Sequence, residues 1–143
     1  MIKLFAMDVD GTLTDGGIYM DGAGGEMKRF DVQDGQGIAQ LLRKGVKVVF
    51  ISGRFSAPTQ RRAEDLKITR CVNGIKDKLP ELEKIAAEFG ASAAETAYAG
   101  DDLPDIDCIR WAGLGIAVAN ARPEVLEAAR CVTRSAGGRG AIR

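Results

Sequence analysis

Short apolar runs ending in acidic or glycine-rich loops alternate along this chain with stretches of helical periodicity, and few folds accommodate that alternation. Lys3 to Met7 is the first such run, and it stops at Asp8-Val9-Asp10-Gly11. Val46 to Ser52, Cys71-Val72, Thr96 to Ala99, Leu114 to Val118 and Cys131 to Thr133 continue the series as expected strands. Between them lie expected helices. One follows Asp34-Gly35, with Ile38, Leu41 and Leu42 at helical spacing and Gly45 as its stop. Another opens at Pro58 and runs to about Lys67. Asp77 to Phe89 places Leu79, Leu82, Ile85, Ala86 and Phe89 on one face, and shorter helices span Asp105 to Trp111 and Pro123 to Ala129.

Strands separated by helices imply an α/β, Rossmann-like three-layer sandwich with a central parallel sheet, because a parallel crossover must carry its helix over one face. One segment breaks the pattern. Gly16 to Phe30, with Asp21-Gly22-Ala23-Gly24-Gly25 at its centre, reads as a small β-hairpin flap over residues 17–30. Residues 135–143 form a basic, glycine-rich tail. With 143 residues and no linker, the chain reads as one domain over 1–143. Ligands of parallel sheets bind at the carboxyl ends of the strands, so the polar residues after the first, second and fourth strands are expected at one edge.

The residue types at that edge suit phosphate chemistry. Asp8 and Asp10 lie two residues apart, so both side chains can face one pocket. Two close carboxylates repel unless a cation neutralises them or one keeps a proton. The first outcome makes a metal site, the second a nucleophile beside a general acid. Gly100-Asp101-Asp102, with Asp105 one turn further on, adds hard oxygen ligands, although one of Asp101 and Asp102 is expected to cap the following helix. The chain has no histidine, which removes His-based catalytic triads and His metal ligands. An all-oxygen donor set selects magnesium over zinc. Ser52-Gly53-Arg54 combines a hydroxyl, a backbone N–H and a guanidinium, which suit an oxyanion. Lys78 opens a helix, where a cation is electrostatically misplaced and therefore suggests a duty elsewhere, whereas Lys76 reads as solvated.

Composition excludes other classes. Twenty Lys and Arg balance twenty Asp and Glu, so nothing directs the chain to nucleic acid or an anionic membrane. No apolar run nears the roughly 20 residues that span a bilayer. The three cysteines, Cys71, Cys108 and Cys131, lack a metal-binding spacing and are expected as buried free thiols in a reducing cytoplasm.

Taken together, these residues resemble the four motifs of the haloacid dehalogenase-like superfamily: Asp8-Val9-Asp10-Gly11-Thr12, Ser52, Lys78, and Gly100-Asp101-Asp102 with Asp105. The resemblance implies that Asp8 attacks phosphorus and that Asp10 protonates the leaving alcohol and then activates water. It implies that Asp8, the Asp10 backbone carbonyl and Asp101 hold Mg2+, and that Ser52, Gly53 and Lys78 bind phosphate. Thr12, Asp102 and Asp105 would support these groups from behind. Neither inter-motif stretch holds a cap domain. Leu13 to Gly17, Phe30 to Gly35 and the tail Gly137 to Arg143 are similar to the capless branch, which acts on phosphate monoesters of sugar acids. The implied substrate is 3-deoxy-D-manno-octulosonate 8-phosphate, with a nine-carbon sugar acid 9-phosphate or another small phosphorylated metabolite as the alternative. Asp31, Val32, Gln33, Asp34, Gly35, Arg54, Arg62 and Lys78, with Asp10, would contact it, Arg54 facing the sugar carboxylate. The branch further implies a homotetramer in which a neighbour's hairpin and C-terminal tail approach the active site. A receiver-like regulatory domain would also use an acidic cluster, magnesium and a lysine, but places its accepting Asp after a middle strand.

Overall fold

The computed structural model describes residues 1–143. In chain order the elements are β1 (Leu4–Met7), β2 (Tyr19–Met20), β3 (Glu26–Met27), α1 (Val32–Arg43), β4 (Lys47–Ser52), α2 (Ala57–Leu66) and β5 (Arg70–Asn73). Then come α3 (Lys78–Glu88), β6 (Thr96–Gly100), α4 (Ile106–Trp111), β7 (Leu114–Ala117), α5 (Pro123–Ala128) and β8 (Cys131–Val132). Six strands pair in the order β5-β4-β1-β6-β7-β8, and every pairing in this sheet is parallel. The order turns at β1: the chain runs outward through β4 and β5, then returns on the other side of β1 at β6. The carboxyl ends of β1, β4 and β6 therefore meet in one crevice.

Strand periodicity divides the core in two. Leu4, Ala6, Val49, Ile51 and Tyr98 point to one face and pack with Leu82, Ile85, Cys108, Ile109 and Val125 of α3, α4 and α5. Phe5, Met7, Val48, Phe50 and Ala97 point to the other face and pack with Ile38 and Ala63 of α1 and α2. All four residues of β1 are buried, as expected of a central parallel strand. Each large side chain removed from water contributes about 1.5–3 kcal/mol.

Two expectations need correction. Helix α1 begins at Val32, so Asp34 and Gly35 lie inside its first turn and do not precede it. Asp31, in extended conformation, accepts the Gln33 N–H and caps the helix earlier than the glycine suggested. The cysteines differ from one another: Cys108 is buried, Cys71 is half-buried, and Cys131 is exposed because β8 is an edge strand. The tail packs on its own chain. Gly137 N–H donates to Asn120 Oδ1, the Gly138 carbonyl accepts from Arg29, and the Gly140, Ile142 and Arg143 amides turn towards Asp34. Gly138 has φ +68°, and a side chain there would meet the Thr14 backbone, so the tail can lie this close only as glycine.

Strands β2 and β3 pair antiparallel, Tyr19 with Met27 and Met20 with Glu26, as a two-residue ladder outside the main sheet. No helix is long and apolar enough to cross a membrane.

Candidate active site

Asp8 leaves β1 at the crevice floor and is 7% exposed; its N–H bonds to the Ala99 carbonyl of β6. Lys78, at the first position of α3, turns its side chain inward and is buried. Its Nζ donates to Asp8 Oδ1 at 2.7 Å and to Asp105 Oδ1 at 2.8 Å. The helix-opening lysine is thus misplaced for its helix and well placed for the site. Asp105 is saturated: Oδ1 also accepts the Tyr98 hydroxyl at 2.7 Å, and Oδ2 accepts the Asp101 and Asp102 amides at 3.1 and 3.2 Å. Thr12 Oγ1 donates to Asp101 Oδ1 at 2.9 Å, which fixes that carboxylate against the first motif. Gly11, at φ +88°, permits the approach, since a Cβ there would overlap Asp101.

Asp8, Asp101 and Asp105 each offer an oxygen within 4.8 Å of the others. Three carboxylates against one ammonium leave an excess of two negative charges in a buried cleft. Burial raises Asp8 well above the ordinary carboxylate range, Asp105 adds to the rise, and Lys78 only partly opposes it. Burial raises Asp101 as well. Burial would lower the Lys78 ammonium, but Asp8 and Asp105 outweigh it and hold the group above its usual value. A divalent cation fits both the charge and the hard donors. Because Asp105 gives both oxygens to hydrogen bonds, the oxygens left to a metal are those of Asp8 and Asp101 that take none of these donors. Asp105 instead orients Lys78 and the loop that carries Asp101.

The cleft has a volume of about 170 Å³ and is lined by Asp8, Asp10, Ser52, Gly53, Arg54, Lys78, Asp102, Pro104 and Asp105. The sequence-expected residues at the ends of β1, β4 and β6 are thereby brought together. Asp10 shares the cleft with Asp8, but its carboxylate stands outside the acidic cluster. It faces Lys28 Nζ at 2.6 Å and Arg54 Nε at 3.8 Å. Ser52 is buried and donates its hydroxyl to the Arg54 carbonyl at 3.0 Å, closing the loop after β4. Arg54 donates to Glu26 Oε1 at 2.5 Å, and Glu26 also accepts the Ser56 hydroxyl at 2.6 Å. These bonds, Arg54 first, hold the Glu26 carboxyl down at about 2. Asp102 caps the 3-10 turn of Leu103–Asp105, so it is the member of the acidic pair that closes a helix end.

The remaining expected substrate contacts are not brought to the cleft within this chain. Asp31 serves as a cap, and Val32 and Gln33 are exposed at the start of α1. Arg62 lies 5.6 Å over the Phe30 ring and points Nη2 at the Asp31 carbonyl, closing against Gly35. Asp34 is fully buried and accepts the Ile142 and Arg143 amides at 3.0 and 3.1 Å. Arg62 of α2, Asp34 and Gly35 of α1 and the last two residues of the tail pack together at the start of α1.

Sequence reasoning missed Glu26, Lys28, Tyr98 and Asn120. Glu26 and Lys28 alternate on one side of the hairpin, a period-two signal in a segment whose sequence suggests only a flap. Tyr98 lies within the apolar run of β6, where no neighbour in sequence marks its hydroxyl's partner. Asn120 bonds the Gly11 carbonyl at 2.9 Å and the Gly137 amide at 2.6 Å, linkages no local pattern marks.

Comparison with known proteins bears on this site. Residues 71–142 match the haloacid dehalogenase-like hydrolases. The chain is 42% identical to the 3-deoxy-D-manno-octulosonate 8-phosphate phosphatase of Yersinia pestis over 99% of its own length and 76% of that protein. It is 41% identical to the Escherichia coli enzyme of the same name, with the same coverage. Among solved structures, it is similar to the Moraxella catarrhalis phosphatase of that name in complex with magnesium, phosphate and KDO. The TM-score is 0.96 at 43% identity, covering 99% of this chain and 81% of that one. The cobalt-bound Haemophilus influenzae phosphatase superposes with TM-score 0.95 at 38% identity, over 99% and 83% of the two chains. On this likeness, with the motif residues gathered at one cleft and no cap over it, the chain belongs to the haloacid dehalogenase-like hydrolase family, as a capless phosphoric monoester hydrolase.

Proposed function

We propose that the chain hydrolyses a sugar-acid phosphate monoester with Mg2+, and that its substrate is 3-deoxy-D-manno-octulosonate 8-phosphate. The observation that carries the chemistry is the buried Asp8 carboxylate, held by Lys78 at 2.7 Å beside Asp101. The substrate rests on the relatives' named activity and on the bound species of the Moraxella catarrhalis structure.

In this reading Asp8 attacks phosphorus, the bond to the leaving oxygen breaks, and Asp10 gives that oxygen its proton. Asp10 then takes a proton from water as the aspartyl-phosphate hydrolyses. Lys78 carries positive charge to the phosphoryl oxygens, and the backbone after Ser52 and Gly53 offers amide donors. Asp8, Asp101 and the Asp10 carbonyl would hold Mg2+, which would supply positive charge to keep Asp8 ionised and offset the phosphate. Arg54 at the cleft mouth suits a substrate carboxylate. Tyr19, Met20 and Met27 stand exposed on the hairpin at 62%, 75% and 67%, which supports a homotetramer built through the hairpins, with a neighbour shielding the open cleft.

The test is Mg2+-dependent phosphate release across a panel of sugar phosphates, with gel filtration alongside. Turnover of the eight-carbon ester that chelation abolishes is the expected result. Faster turnover of a nine-carbon acid 9-phosphate, or of an unrelated metabolite, would replace the substrate. No release from any ester would remove the function.

A further inference from the structure

We propose that Lys28, on the hairpin, is the positioning residue for Asp10, so that the flap is part of the acid–base machinery as well as a cover. The proposal rests on the phosphatase reading above. The Lys28 side chain is fully buried, although it leaves a short, solvent-facing hairpin. A buried ammonium is retained only where anions and acceptors replace its water. Its neighbours meet that condition: Asp10 Oδ1 at 2.6 Å, Glu26 Oε2 at 3.9 Å and Thr59 Oγ1 at 3.1 Å. Thr59 is itself fully buried on α2. Lys28 is therefore gripped by the scaffold at one side and presses on the Asp10 carboxylate at the other.

The geometry of that contact matters. Asp10 Oδ1 is buried, and the Lys28 ammonium at 2.6 Å is the group that fixes where it stands. A group that must carry a proton to a leaving oxygen needs to be fixed in this way. Arg54 cannot replace Lys28, since it is bonded to Glu26 and lies 3.8 Å from the other Asp10 oxygen. In the step concerned, the Asp8–phosphorus bond forms, the bond from phosphorus to the leaving oxygen breaks with its electron pair, and the Asp10 proton moves to that oxygen.

The test compares Lys28→Met with the parent on an alkyl phosphate, whose leaving group needs a proton, and on p-nitrophenyl phosphate, whose leaving group does not. On the alkyl ester kcat should fall about 10²-fold or more with KM within about threefold, since general acid catalysis contributes about 10²–10⁴-fold. The pre-steady-state burst of nitrophenolate should stay within about threefold of the parent, because phosphorylation of Asp8 then needs no acid. Lys28→Arg should recover part of the alkyl rate, and adding Lys28→Met to Asp10→Asn should cost little more than Asp10→Asn alone. Alkyl turnover unchanged in Lys28→Met, or burst and alkyl rates falling together, would overturn the proposal. If Lys28→Met does not fold, Thr59→Val decides: a loss confined to the alkyl ester supports the role, and an equal loss or none overturns it. A parent inactive on both esters would sink the phosphatase reading itself, and is told apart from a failed Lys28 role by the parent's own assay.

Discussion

At the scale of single residues, the cleft works because one lysine is shared by two carboxylates and a third carboxylate is left short of charge. Asp8→Asn keeps the shape of the side chain but removes its negative charge and nucleophilicity. Turnover should vanish while the circular dichroism spectrum is unchanged, and substantial residual phosphate release would refute the nucleophile assignment. Asp10→Asn leaves the nucleophile intact and should lower kcat by about 10²–10⁴-fold, the usual contribution of a general acid–base group. Both assignments were open to sequence reasoning, since Asp8 and Asp10 follow a buried strand. The direction of the Asp10 side chain was not. That side chain faces Lys28, which is adjacent only after the hairpin folds back.

At the scale of elements, α1 ties the tail to the fold. Its first turn presents Asp34, which accepts the Ile142 and Arg143 amides from more than a hundred residues away in sequence. Burial raises the Asp34 carboxyl even though these amides pull it down, so the bonds are made in a poorly solvated place. Asp34→Ala should release residues 140–143 while leaving α1 protected, at a cost of about 1–3 kcal/mol for amides left without acceptors. Hydrogen exchange would show this as loss of protection confined to the tail. Unchanged exchange there would mean that Asp34 does not hold it. The elements themselves followed from periodicity and caps, within a residue or two at most ends. The start of α1 lies earlier than the sequence suggests because Asp31 caps it, and the distant partner of Asp34 leaves no local signal.

At the scale of the whole molecule, the charge excess couples stability to pH and to metal. Asp8 and Asp101 have folded-state values raised above the ordinary 3.8, so between those limits the folded chain binds more protons than the unfolded one. Metal-free stability should therefore be fullest below the ordinary carboxylate range and fall as pH rises through it towards the raised values. A cation removes this penalty. Added Mg2+ should raise Tm more at about pH 8 than at about pH 5. Calorimetry at both values checks the sign, and a larger shift at the lower pH would contradict the assigned charge state.

Sequence by itself determined what local chemistry determines: the alternation that demands a parallel sheet, the strand ends where polar residues collect, and the acidic motifs after β1 and β6. Those features are written in runs of a few residues, where backbone geometry and hydrophobic periodicity act directly. Only the tertiary structure decided which partners share a proton, a charge or a wall. Lys78 bridges Asp8 and Asp105, Lys28 and Glu26 bring the hairpin to Asp10 and Arg54, Asp34 takes the tail, and Arg62 is drawn to Phe30 away from the cleft. Each of these contacts joins segments far apart in the chain, and their strength comes from burial, which no run of neighbouring residues reveals.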